Sequence, residues 1–102
     1  MAGRKRLTKT TDYETSFWCA GGLGFLREEV WMNEHREVIR YNLAFVVPHL
    51  FRADNGRILG YDNAHGVHER HIRGIVEPAS YTSYLATAER FYKEVRVLRE
   101  KL

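Results

Sequence analysis

The clearest pattern along the chain is an alternation: Ile39, Tyr41, Leu43, Phe45 and Val47 are apolar at every second position, with Arg40 and Asn42 leading the opposite face. Successive side chains of a strand point to opposite faces, so this spacing predicts a β-strand with one buried face. Phe25 to Met32 also reads as extended, and the polar break Asn33-Glu34-His35-Arg36 after it has hairpin length. These two segments are expected to pair antiparallel. Pro48 has no amide to donate and ends regular pairing, while Asp54-Asn55-Gly56 supplies residues that accept positive φ before a further strand over Arg57 to Tyr61. Ser16 to Ala20 reads as one more strand, joined through Gly21-Gly22-Leu23-Gly24 as a hinge.

The period changes near the end. Tyr84, Leu85, Ala88, Phe91, Tyr92, Val95, Leu98 and Leu102 form one helical stripe, with Glu89, Arg90, Lys93, Glu94 and Lys101 on the other side. Thr82 or Ser83 is placed to cap this helix. A lone helix of this length is marginal in water, so its stripe is expected to dock on the sheet, against the odd-numbered face of the Ile39–Val47 strand. The fold class expected is α+β: an antiparallel β-meander of three to four strands with a C-terminal amphipathic helix packed on one face. The 102 residues suit a single domain, with residues 1–15 expected to be a flexible basic N-terminal segment. A meander leaves two open edges, and a strand as apolar as Leu43 to Val47 at one of them would call for a homodimer or a partner protein.

Composition narrows the class. Hydrophobic residues make up 44% and charged residues 28%, a globular balance, and no run approaches the roughly 18 to 20 apolar residues of a membrane-spanning helix. No membrane association is expected. Thr10 to Ser16 is polar where a signal peptide needs an apolar stretch, and Cys19 is the lone cysteine, which suits a reducing cytoplasm. The formal charge of +3 permits a polyanionic partner without requiring one.

One window concentrates the reactive side chains. From Gly60 to Gly74 the chain carries His65, His68, His71, Arg70, Arg73, Asp62 and Glu69. Histidine exchanges protons near neutrality and arginine offers a donor fork matched to phosphate. Cleavage of an RNA phosphodiester without a metal needs these groups: a base for the 2′-hydroxyl, an acid for the leaving oxygen and a cation for the charge on phosphorus. In that reading His65 and His71 move protons, Arg70 and Arg73 clamp phosphate, Asp62 orients a histidine, and Tyr61, Asn63 and His68 contact substrate. The bland alternative is a solvated loop whose His, Asn, Asp and Arg serve turn formation.

Other features weigh less. The three-residue spacing of His65, His68 and His71 would suggest a metal site on a helix, but Gly66 and Asp62-Asn63 oppose a regular helix, so no metal and no cofactor are expected. The glycines at 21, 22 and 24 lack the Gly-Lys-Ser/Thr of a phosphate loop. Cys19 lies in an apolar stretch and reads as a small buried hydrophobe, and Trp18 and Trp31 read as structural aromatics although exposed aromatics can stack bases.

Tyr41-Asn42-Leu43-Ala44-Phe45-Val46, then Gly56-Arg57-Ile58-Leu59-Gly60-Tyr61-Asp62-Asn63, Gly66, Arg70-His71 and Glu77-Pro78 before a final amphipathic helix resemble the TumE family of small bacterial and archaeal proteins. The resemblance covers roughly residues 38 to 98, and its most specific part is Gly-Tyr-Asp-Asn followed by Arg-His. Where relatives carry a contiguous His-Arg-His, this chain has Glu69 before Arg70 and a histidine one place earlier, at His68. The resemblance implies the toxin of a type II toxin-antitoxin pair, a cytoplasmic helix-turn-helix antitoxin as partner, and growth inhibition through RNA. Two functions therefore stand beside each other: a toxin acting on RNA through the His/Arg-rich segment, and a non-enzymatic module whose loop and helix dock a partner protein. A sequence-specific DNA binder fits poorly, because one helix cannot supply a helix-turn-helix pair.

Overall fold

The computed structural model describes residues 6–102 as a six-stranded antiparallel sheet and one helix. The strands are β1 (Thr8–Cys19), β2 (Gly22–Met32), β3 (Val38–Val46), β4 (Arg57–Asp62), β5 (Glu69–Ile72) and β6 (Ile75–Pro78), followed by α1 (Tyr84–Lys101). They lie side by side in chain order, so every connection joins neighbours. The α+β class and the C-terminal helix agree with the sequence expectation, and the strand number exceeds it. The β5–β6 hairpin accounts for the excess. β5 and β6 occupy what reads as a loop, turning through Arg73 and Gly74, whose φ angles are 46° and 82°. β1 is also longer than expected: its first eight residues, Thr8 to Thr15, are strand where a flexible segment is expected, and residues 1–5 of that expectation lie outside the described residues.

The turns follow local chemistry. Ala20 and Gly21 both have positive φ, at 52° and 86°, which closes a two-residue turn between paired Cys19 and Gly22, so the expected glycine hinge is a tight hairpin. After Val46 the chain leaves the sheet at Pro48 and returns through Asp54-Asn55-Gly56, all three with positive φ. Ser83 caps α1, its side chain accepting from the Ala86 amide at 3.1 Å.

The helix covers one face. Tyr41, Leu43, Phe45 and Val47 are buried with Leu59 and Tyr61 of β4 against Ala88, Phe91 and Val95 of α1, as the two periodicities require. Tyr61 meets Phe91 edge-on, with centroids 6.4 Å apart. Leu85 departs from the expected stripe and stands 68% exposed, because it lies about 100° around the axis from Tyr84. Trp18 also departs from expectation, 70% exposed near the tip of the β1–β2 hairpin. β3 is interior in the sheet, so its apolar run is not an edge; β1 and β6 are the edges. Among the described residues no helix is long and apolar enough to cross a membrane.

Candidate functional site on the open face of the sheet

Register decides which side chains share a face. Glu14, Arg27, Ala44, Gly60 and His71 form one transverse row, and Asp12, Glu29, Asn42, Asp62 and Glu69 the next, both on the face opposite the helix. Leu43, Tyr61 and Arg70 form a row on the helix face. Adjacent residues of β5 therefore serve opposite sides, and His65, His68, His71, Arg70 and Arg73 do not share one surface.

On the helix face the polar groups are ties. Arg70 donates to Glu94 of α1 through Nη2 at 2.5 Å and to Glu77 at 2.7 Å, which makes it a clasp for the helix and not a free phosphate ligand. The Tyr61 hydroxyl donates to the same Glu94, and the hydroxyls of Tyr84 and Tyr92 donate to Glu28. Burial, then the Glu94 carboxylate, pushes the Tyr61 phenol up to about 12. His68 stacks on Tyr81 with centroids 3.7 Å apart and shares a 2.8 Å hydrogen bond with the Tyr41 hydroxyl, so it is an aromatic filler under the helix end. Asn63 is likewise structural: its amide bridges the β3 backbone, accepting from Tyr41 N at 3.0 Å and donating to Ile39 O at 2.9 Å. Arg73 stands exposed at the β5–β6 turn, away from both groups.

The open face gathers the rest. His71 and Asp62 are buried, with Nε2 of His71 3.1 Å from Oδ2 of Asp62. That approach lacks hydrogen-bond alignment, and His71 Nε2 is a fully buried ring nitrogen without a hydrogen-bond partner. Arg57 donates through Nη1 to the same Asp62 oxygen at 3.0 Å and through Nε to Asp54 at 2.9 Å. Gly60 makes this possible: a Cβ there would lie 2.6 Å from Arg57 Cδ and 3.0 Å from the Leu43 carbonyl, so only glycine lets the guanidinium lie across the strand. Glu69 sits beside the pair, and its carboxylate meets Nδ1 of the exposed His65 at 3.2 Å.

Farther along this face the charges pair across strands. Arg27 donates to Glu14 at 2.6 Å, and Lys9 meets Glu29 at 2.7 Å. Burial raises the Glu29 carboxyl, but hydrogen bonds from Lys9 and Asn42 outweigh it and hold the group below its ordinary range. Trp31 is half-buried, with Lys9 and Arg40 over its ring. A groove of about 500 Å³, lined by Glu14, Arg27, Asn42, Asp54, Asn55 and Arg57, opens on this face.

Of the eight residues singled out in sequence, Asp62, His71 and His65 meet on the open face; Arg70, His68 and Tyr61 lie under the helix, Asn63 binds backbone and Arg73 stands apart. Arg57 and Glu69, given no role from the sequence, also belong to the open-face cluster. Gly60 offered a signal for Arg57, because a glycine inside an apolar strand marks the close approach of another group. No family model, curated protein or solved structure matches this chain.

Proposed function

We propose that this protein acts on RNA as the toxin of a toxin-antitoxin pair, and that its working surface is the open face of the sheet around His71, Asp62, Arg57 and His65. One observation carries the reading: two histidines, two carboxylates and a guanidinium meet on one face, beside a groove of about 500 Å³, a size that suits a nucleotide. Arg57 takes the part of the organising cation on this face, its guanidinium held between Asp54 and Asp62, while Arg70 serves the helix. The exposed His65 is the group placed to exchange a proton with substrate, and the buried His71–Asp62 pair anchors Arg57. The TumE resemblance supports the same assignment, since its Gly-Arg-Ile-Leu-Gly-Tyr-Asp-Asn stretch contains Arg57, Gly60 and Asp62.

The test is induced expression in a bacterial host, with growth and bulk RNA integrity followed for wild type, His65→Ala and Arg57→Lys. Wild type should arrest growth and fragment RNA. His65→Ala should lower cleavage by about 10² to 10⁴, the usual worth of a general acid or base. Arg57→Lys should also be damaging, because an ammonium cannot reproduce the forked hold on Asp54 and Asp62 that sets the face. Normal growth and intact RNA under wild-type expression reject the reading.

A second reading, the docking module, is favoured by β6. This edge strand is exposed along its whole length, with Ile75 and Val76 at 65% and 51%, and an open apolar edge is a template for strand addition. A neighbouring-gene helix-turn-helix protein or a second copy would cover it. Light scattering that gives a monomer across the micromolar range, with no complex on co-expression, counts against this reading.

A further inference from the structure

We infer that Asp62, Glu69 and His71 form a binding site for one first-row transition-metal dication on the open face of the sheet. The inference goes beyond the RNA reading and does not rest on it. One ligand atom from each of the three residues lies within 4.8 Å of the others. An independent observation aims at the same point: Nε2 of His71, a residue only 6% exposed, has no hydrogen-bond partner although it is wholly buried. Buried ring nitrogens are almost always satisfied, and one that is not calls for an explanation such as an ion.

The chemistry of the pocket agrees. Nε2 of His71 and Oδ2 of Asp62 stand 3.1 Å apart without hydrogen-bond alignment, beside the second carboxylate of Glu69, a set that calls for positive charge. Arg57 cannot supply it alone. Its guanidinium is shared with Asp54, so those two charges cancel and leave Asp62 and Glu69, two negative charges that a dication balances. Oδ2 of Asp62 keeps a second lone pair while accepting from Arg57, and Oδ1 is steadied by the Ala64 amide at 3.2 Å. Ligand atoms bound about 2.0 to 2.2 Å from one ion stand roughly 3 to 4 Å apart. The widest pair must therefore close by about 1 Å, which a rotamer adjustment of the partly exposed Glu69 can provide.

The donor set identifies the class of ion. Imidazole nitrogen favours zinc and its neighbours over magnesium and calcium, which take oxygen alone. Three protein ligands leave a position open on the outer side, where His65 stands hydrogen-bonded to Glu69 and orients it. These ligands are not the histidine triplet that the sequence spacing suggested, because His68 lies on the other side of the sheet.

The experiment titrates zinc, and separately magnesium, into the metal-stripped full chain by calorimetry and follows the thermal midpoint of unfolding. Zinc should bind one per chain and raise the midpoint, with magnesium far weaker. Glu69→Gln keeps the size of a partly exposed side chain and removes one ligand; it should weaken zinc by at least about tenfold, since even outer contacts to a metal site cost that much. His65→Ala should weaken it less. Absence of zinc binding to wild type, equal binding of magnesium, or unchanged zinc binding by Glu69→Gln overturns the assignment. The growth assay above is read separately, so loss of the metal site leaves the RNA reading standing, and the reverse.

Discussion

The two faces of the sheet carry similar residue types and use them in opposite ways. Under α1, the charged groups between helix and sheet are tied across elements: Glu28 to two tyrosines, Glu94 to Tyr61 and Arg70. On the open face the ion pairs run between adjacent strands and leave one buried nitrogen of His71 unmatched. A face that must be sealed is satisfied completely, because each unmet polar group there would cost about 1 to 3 kcal/mol. The open face keeps one buried nitrogen unmet, at a cost that the satisfied helix face can offset.

The largest break in this contrast is expected at Phe45, wholly buried beneath the helix and stacked on Phe17 at 5.8 Å. Phe45→Ala should cost roughly 3 to 5 kcal/mol in denaturant unfolding and loosen the helix. A loss below about 1 kcal/mol would mean that the helix face is not the core.

Gly60→Ala tests the open face alone. Its new methyl would sit 2.6 Å from Arg57 Cδ, so Arg57 must leave Asp62, at a stability cost of roughly 1 to 3 kcal/mol. The substitution should impair function well beyond that modest loss. A variant with wild-type stability and wild-type growth inhibition would remove Arg57 from the site.

Alkali separates the faces by titration. Tyr41, Tyr61, Tyr81, Tyr84 and Tyr92 are all raised from 10.0, chiefly by burial, and Tyr61 reaches about 12. A raised phenol favours the folded state only while it keeps its proton. The stability it contributes is therefore complete below pH 10, the unfolded value, and declines as pH rises through 10 toward 12. Circular dichroism and phenolate absorbance should change together in that window, with the helix face failing first. Unfolding that begins below pH 9 would point to another cause.

The smallest expected effect is at His65. It is 78% exposed in its side chain, so His65→Ala should move stability by no more than about 0.5 kcal/mol while reducing RNA cleavage. A large stability loss would make it a structural turn residue.

Much of the fold was legible in the chain. The Ile39–Val47 alternation, the Asn33–Arg36 break, Asp54-Asn55-Gly56 and the Tyr84–Leu102 stripe each carry a local signal strong enough to name an element, because one side of each element is apolar. Thr8 to Thr15 of β1 and the β5–β6 hairpin carried none. β1 is an edge strand with few buried side chains, and Glu69-Arg70-His71-Ile72 has polar residues on both faces, so no apolar period shows.

The sequence by itself determined the elements whose apolar period shows through, the turns where only residues tolerant of positive φ will serve, and the density of histidine, arginine and carboxylate between Gly60 and Gly74. Tertiary structure decided which of those groups act together. In a pleated strand, neighbours one residue apart point to opposite sides. Arg70 was thus carried to Glu94 and the helix, while His71 was carried to Asp62 and, through Gly60, to Arg57. Strand register sets such pairings, and register depends on partners far along the chain.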